Sequence, residues 1–156
     1  MHDEGQPLSI HVSVAGQRLT LHGAGGKGLR EYPVSTSRFG QGTEEGSFKT
    51  PLGRFEIARK IGTGAPLGAV FIGRVPTGEI GGASNPGDLV QTRILWLRGL
   101  DPENANTLDR YIYIHGTNHE EEIGVAASHG CIRMRNADVA ELYEMVAEGT
   151  PVFVHP

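Results

Sequence analysis

Apolar and polar residues alternate along Leu8 to Val14 (LSIHVSV) and again along Gln17 to His22 (QRLTLH), the period of a half-buried strand. Ala15-Gly16 between them supplies a tight turn, so the two runs predict an opening β-hairpin. Leu29 to Ser35 (LREYPVS) reads as the next strand, reached through Gly23 to Gly28 (GAGGKG). That glycine-rich stretch lacks the spacing of a phosphate-binding loop and no helical pattern follows it, so it is read as a turn. Shorter strand-like runs follow at Phe55 to Ala58, Ala69 to Ile72, Ile94 to Leu97, Tyr111 to Ile114 and Thr150 to Val154. Polar, turn-rich segments separate them: Ser37 to Thr50, Gly62 to Gly68, Pro76 to Gln91 and Asp101 to Asp109. The first is long enough to be a functional loop, and Pro76 to Gln91 is read as a flap over or beside a site. Helical spacing occurs once, in Val139, Leu142, Tyr143 and Val146, with Asn136 as the expected N-cap and Gly149 as the stop. Many short strands with one late helix predict a mainly β architecture, a single domain over residues 1–156.

Composition narrows the function classes. Hydrophobic residues at 38% and charged ones at 21% suit a soluble globular chain, and the 23 glycines favour turns and short strands over a helical bundle. A net charge of −4 gives no reason to expect nucleic acid or an anionic membrane as partner, since both need a basic surface. No apolar run is long enough for membrane insertion. The N-terminus has neither the basic nor the apolar region of a secretory signal, so a cytoplasmic location is expected, or a periplasmic one if the chain has been trimmed.

The chemistry concentrates in Tyr111 to Asn136 (YIYIHGTNHEEEIGVAASHGCIRMRN), which holds the only cysteine, Cys131, and three of the seven histidines. A thiol and an imidazole at the ends of neighbouring segments are the minimum equipment for nucleophilic acyl transfer. His115 ends a strand-like run and is the candidate base, its ring held by a main-chain carbonyl, since no Asp or Asn stands out as an orienting partner. Gly130 leaves the backbone open, so amides at Gly130 and Cys131 are candidate oxyanion donors. Arg133 lies on the same side as Cys131 if the segment is extended and suits a substrate carboxylate. Glu120-Glu121-Glu122 reads as a solvated acidic turn. Zinc is the rival use of His115, His119, His129 and Cys131, but there is no HExxH, and one cysteine cannot make a CxxC knuckle. A non-catalytic binding module is the other alternative, and no cofactor is expected.

His115-Gly116-Thr117 followed by Ser128-His129-Gly130-Cys131-Ile132-Arg133-Met134 and Asn136 resembles the catalytic motif of the L,D-transpeptidases, the YkuD-like family. The likeness extends to QRLTL, to YPVSTSRFGQGTEEGSFKTPLGRFEI and to DVAELYEMVAEGTPVFV, and is weak only over residues 62–109. It implies a β-sandwich with a helix packed near the site. Cys131 would be the nucleophile and His115 its base, with the Gly116 carbonyl orienting the ring. Ser128, His129 and Arg133 would face the substrate, Arg133 gripping a carboxylate. The implied substrates are peptidoglycan stem tetrapeptides or muropeptides, cleaved between diaminopimelate and D-Ala through a thioester. The acyl group would pass to an amine, giving a 3-3 crosslink or D-amino-acid exchange, or to water in murein recycling, which the cytoplasmic expectation favours. Carbapenems are the implied covalent inhibitors.

Overall fold

The alternating runs become strands. In the computed structural model, which describes residues 7–82 and 84–156, the opening hairpin is β1 (Ser9–Ser13) and β2 (Arg18–His22). Ile10, Val12, Leu19 and Leu21 are fully buried, one face of the hairpin forming the core as the pattern requires. β3 (Gly28–Pro33) pairs antiparallel with β2 and forms one edge of the sheet. β4 (Gly53–Ile61) is longer than its apolar run suggests. β5 (Ala69–Ile72) and β6 (Val75–Ile80) form a hairpin, and β7 (Val90–Gly99) runs ten residues through the middle. β8 (Tyr113–Gly116) and β9 (Ile132–Met134) follow, then the helix α1 (Asn136–Met145) and β10 (Pro151–His155).

The strands join in the order β3-β2-β1-β10-β4-β7-β5-β6, with β8 branching from β7 and β9 from β8. β10 lies parallel to β1 and antiparallel to β4, so the two ends of the chain meet in the middle of the sheet. Two apolar clusters result. The larger is built from β1 to β4 and β7 to β10, and α1 closes it with Val139, Leu142 and Tyr143. The smaller holds Ala69, Phe71, Ile94 and Tyr113, with Trp96 and Cys131 packed against it.

The structure departs from the pattern in three places. Val75–Ile80 is a strand, not part of a flap: all six residues are exposed at the sheet edge, where Pro76 removes no needed donor. The loop proper is therefore confined to residues 81–89. Tyr111 precedes β8 in a left-handed conformation (φ 55°) instead of extending it. Asn136 is the first helical residue, not the N-cap, which is Arg135 without a side-chain cap. The Asn136 amide is drawn inward instead, donating to Gln91 Oε1 and the Thr117 carbonyl and accepting from Thr92 Oγ1.

Candidate active site

β8 and β9 pair in parallel, matching Ile114 with Ile132, His115 with Arg133 and Gly116 with Met134. Side chains alternate across a strand, so Ile114, Ile132 and Met134 enter the large core while Tyr113, His115, Cys131 and Arg133 share the opposite face. This short ladder sets Cys131 level with Tyr113, whose amide meets its sulfur, and puts His115 at the next same-face position along the neighbouring strand.

Cys131 is half-buried, its Sγ accepting the Tyr113 amide at 3.3 Å and reaching the Tyr111 carbonyl at 3.5 Å. Burial pushes the thiol up to about 12; the Tyr113 N–H pulls it back, Asp88 adds to the rise, and Arg133 and Arg110 oppose it. His115 is 2% exposed, and burial lowers its pKa against the opposing pull of Asp88 and the Gly116 carbonyl. Its Nδ1–H donates to the Gly116 carbonyl at 2.5 Å, which leaves Nε2 as the basic nitrogen. Gly116 has no room for a side chain: a Cβ there would lie 2.1 Å from Asn136 Oδ1 and 2.7 Å from the Gln91 carbonyl.

The turn before Cys131 is braced by Ser128 within the motif and by residues outside it. Ser128 is fully buried; its hydroxyl donates to the Cys131 carbonyl at 2.6 Å and accepts the Gly130 amide at 3.3 Å. The Gly130 donor is thus directed at Ser128. Gly130 sits at φ 119°, open only to glycine, and a Cβ would press on the Lys49 carbonyl at 3.3 Å. Thr50 Oγ1 donates to the Gly130 carbonyl, and the Thr36 carbonyl accepts the amides of both Ala127 and Ser128. The long polar loop after β3 is therefore the cradle of this turn, a role its composition does not announce. His129 projects half-exposed between Phe39 and Phe48, with ring centroids 5.8 and 5.9 Å away.

Arg133 is 1% exposed and already paired: Nη2 meets Asp88 at 2.8 Å and Nη1 meets Glu122 at 2.6 Å, while Nε has no partner. Burial works to raise the Asp88 carboxyl, but His115, Arg133 and His129 together hold it below the usual range. Asp88 and Glu122 escape the sequence reading. Asp88 stands in a patternless loop, and the acidic turn read as solvated sends Glu122 inward and Glu120 to the Asn136 amide at 2.7 Å. Arg133 is expected from the sequence to face a substrate carboxylate, and only its burial in the structure shows why carboxylates of the chain converge on it. Among the described residues, no three His, Cys, Asp or Glu side chains are grouped to hold a metal. A cavity of about 300 Å³ opens beside Tyr111 and His129, lined also by Phe48 and Arg110. A larger one, about 480 Å³, lies between residues 61–66 and the β5–β6 hairpin and shares Ala69 and Phe71 with the cluster that holds Cys131.

The L,D-transpeptidase catalytic domain model matches residues 7–154. The chain belongs to this family. It is 30% identical over 151 residues to the Bacillus subtilis protein YkuD, named as an L,D-transpeptidase, covering 96% of this chain and 66% of that protein. In fold it is similar to an L,D-transpeptidase of Xylanimonas cellulosilytica (TM-score 0.63, 18% identity, 96% of this chain and 60% of that one). It is likewise similar to L,D-transpeptidase 3 of Mycobacterium tuberculosis, solved with a faropenem-derived adduct (TM-score 0.61, 18% identity, 97% and 61%). The chain thus spans about two thirds or less of the length of these relatives.

Proposed function

We propose that this L,D-transpeptidase domain cleaves the bond between diaminopimelate and D-Ala in peptidoglycan tetrapeptide stems through a Cys131 thioester. The observation that carries the reading is the shared face of Cys131 and His115, with His115 Nδ1 tied to Gly116 and Nε2 left free to accept a proton. His115 takes the thiol proton as sulfur attacks the carbonyl carbon. The amide nitrogen of D-Ala then leaves, carrying that proton, and a thioester remains. The Tyr113 amide favours the thiolate as it forms, and the Cys131 amide is the oxyanion donor we assign. Water or an amine then attacks the thioester carbonyl as His115 accepts its proton; the carbon–sulfur bond breaks, the acyl group leaves on the acceptor, and His115 returns the proton to the Cys131 sulfur. A cytoplasmic location and water as acceptor belong to the same proposal: soluble muropeptides would be trimmed to tripeptides.

The deciding assay incubates the protein with disaccharide-tetrapeptide, with and without a D-amino acid, and weighs the products. Tripeptide means hydrolysis, and dimer or exchanged stem means transfer. Cys131→Ala should release no D-Ala while unfolding at the wild-type midpoint; release by that variant would refute the thioester. Since the mycobacterial relative carries a faropenem-derived adduct, a carbapenem is expected to add its mass to Cys131 here.

A further inference from the structure

Arg133 lies on the catalytic face, yet its two terminal nitrogens are filled by carboxylates of the chain itself. The two partners are held differently. Glu122 belongs to the short turn Glu120–Glu122, fixed between β8 and β9. Asp88 stands on the loop 81–89, which pairs with no strand and has nothing more than Leu89 half-buried among its described residues. The loop leaves β6 through Gly81 (φ 90°) and Gly82 (φ 104°). It is folded around one side chain: Asn118 Nδ2 donates to the carbonyls of Gly82, Asn85 and Gly87 at 3.0–3.1 Å, and Asn118 Oδ1 accepts the Leu89 amide at 3.0 Å. His119 adds a contact to the Gly87 carbonyl at 2.8 Å. At its end, Asp88 Oδ2 sits 2.8 Å from Arg133 Nη2 and 3.4 Å from His129 Nδ1.

Taking up the stem-peptide reading above, we propose that Arg133 and His129 form a carboxylate seat and that Asp88 is its resident placeholder, carried on a latch that a substrate carboxylate displaces. A guanidinium this buried is costly to leave bare, so the seat must be filled between turnovers. Exchanging one carboxylate for another keeps the pair intact, and the bonds lost are those of a loop whose described residues belong to neither apolar cluster, most of them exposed. A neutral group could not make that exchange, so the latch selects stems whose diaminopimelate side chain ends in a free carboxylate. Glu122 stays in place and holds the guanidinium plane.

Three proteins test the proposal: wild type, Asp88→Asn, which weakens the placeholder, and Asn118→Ala, which frees the loop without touching the seat. Hydrogen exchange of the loop amides is read with increasing glutarate, a plain dicarboxylate, and KM is read with stems whose diaminopimelate carboxylate is free or amidated. Glutarate should deprotect the loop in wild type, and both variants should lower KM for the free-carboxylate stem by about tenfold, the closed-state handicap removed. KM for the amidated stem should stay put. Loop exchange indifferent to glutarate, with both stems shifting together, would overturn the latch. If no protein processes either stem while glutarate still opens the loop, the substrate reading fails and the latch stands.

Discussion

At the scale of single residues, Cys131 and His115 rest as a neutral pair and not as thiolate and imidazolium. Burial pushes the thiol up to about 12 and lowers the imidazole, so both shifts favour the uncharged forms. The proton therefore moves during the reaction. Below its pKa the thiolate fraction grows tenfold per pH unit, so alkylation of Cys131 by iodoacetamide should climb steadily over roughly pH 6 to 9. A fast, flat rate at the acid end would mean a preformed ion pair and would contradict the structure. The sequence brought Cys131 and His115 forward as candidates because a lone cysteine, a histidine at a strand end and their glycines are rare residues set close together, and the structure places both on one face of the β8–β9 ladder. The sequence did not reveal Asp88, whose role depends on where a loop returns in space, and it left Arg133 facing substrate without the two carboxylates that already hold it.

At the scale of elements, the β8–β9 ladder works because its backbone is packed on both sides. Gly116 is the tightest point: Asn136 Oδ1 and the Gln91 carbonyl both lie where a Cβ would go. Gly116→Ala should cost about 1–3 kcal/mol of overpacking, and should also shift the carbonyl that orients His115, lowering turnover more than KM. Thermal unfolding and steady-state rates check the two effects; an alanine variant with normal stability and rate would show that the ladder is slack. Asn136→Ala should lose a comparable ~1–3 kcal/mol, since Gln91, Thr92 and Thr117 each lose a partner in a buried setting. The same residues explain what the pattern could and could not give. The β1–β2 hairpin is local and alternates cleanly, so its sequence suffices. β6 is an edge strand of exposed residues with Pro76 and Gly78 in it, and no apolar period marks it. Asn136 looks like a cap because Asn usually caps; here the demand of the site outweighs that preference.

At the scale of the whole molecule, the sheet order is the part least visible in the chain, because β1 and β10 pair across nearly its full length and no local turn encodes that contact. The same long-range assembly buries the Cys131 thiol, and so ties folding stability to its titration. In the unfolded chain the thiol ionises near its ordinary value of 9.0; in the folded protein it does so at about 12. Between those values the unfolded state sheds a proton that the folded state keeps, so the contribution of Cys131 is full below the lower value and declines as pH rises toward the upper one. Tyr32 and Tyr113 are also pushed up by burial and weaken the fold in the same direction, so the wild-type curve alone cannot assign the loss to sulfur. Cys131→Ser retains both tyrosines and lacks the titrating thiol. Denaturant midpoints for the two proteins should run parallel up to about pH 9 and separate above it, wild type falling faster. Curves that stay parallel into stronger alkali would mean that the thiol ionises as freely in the fold as outside it, and the buried, neutral nucleophile would have to be abandoned.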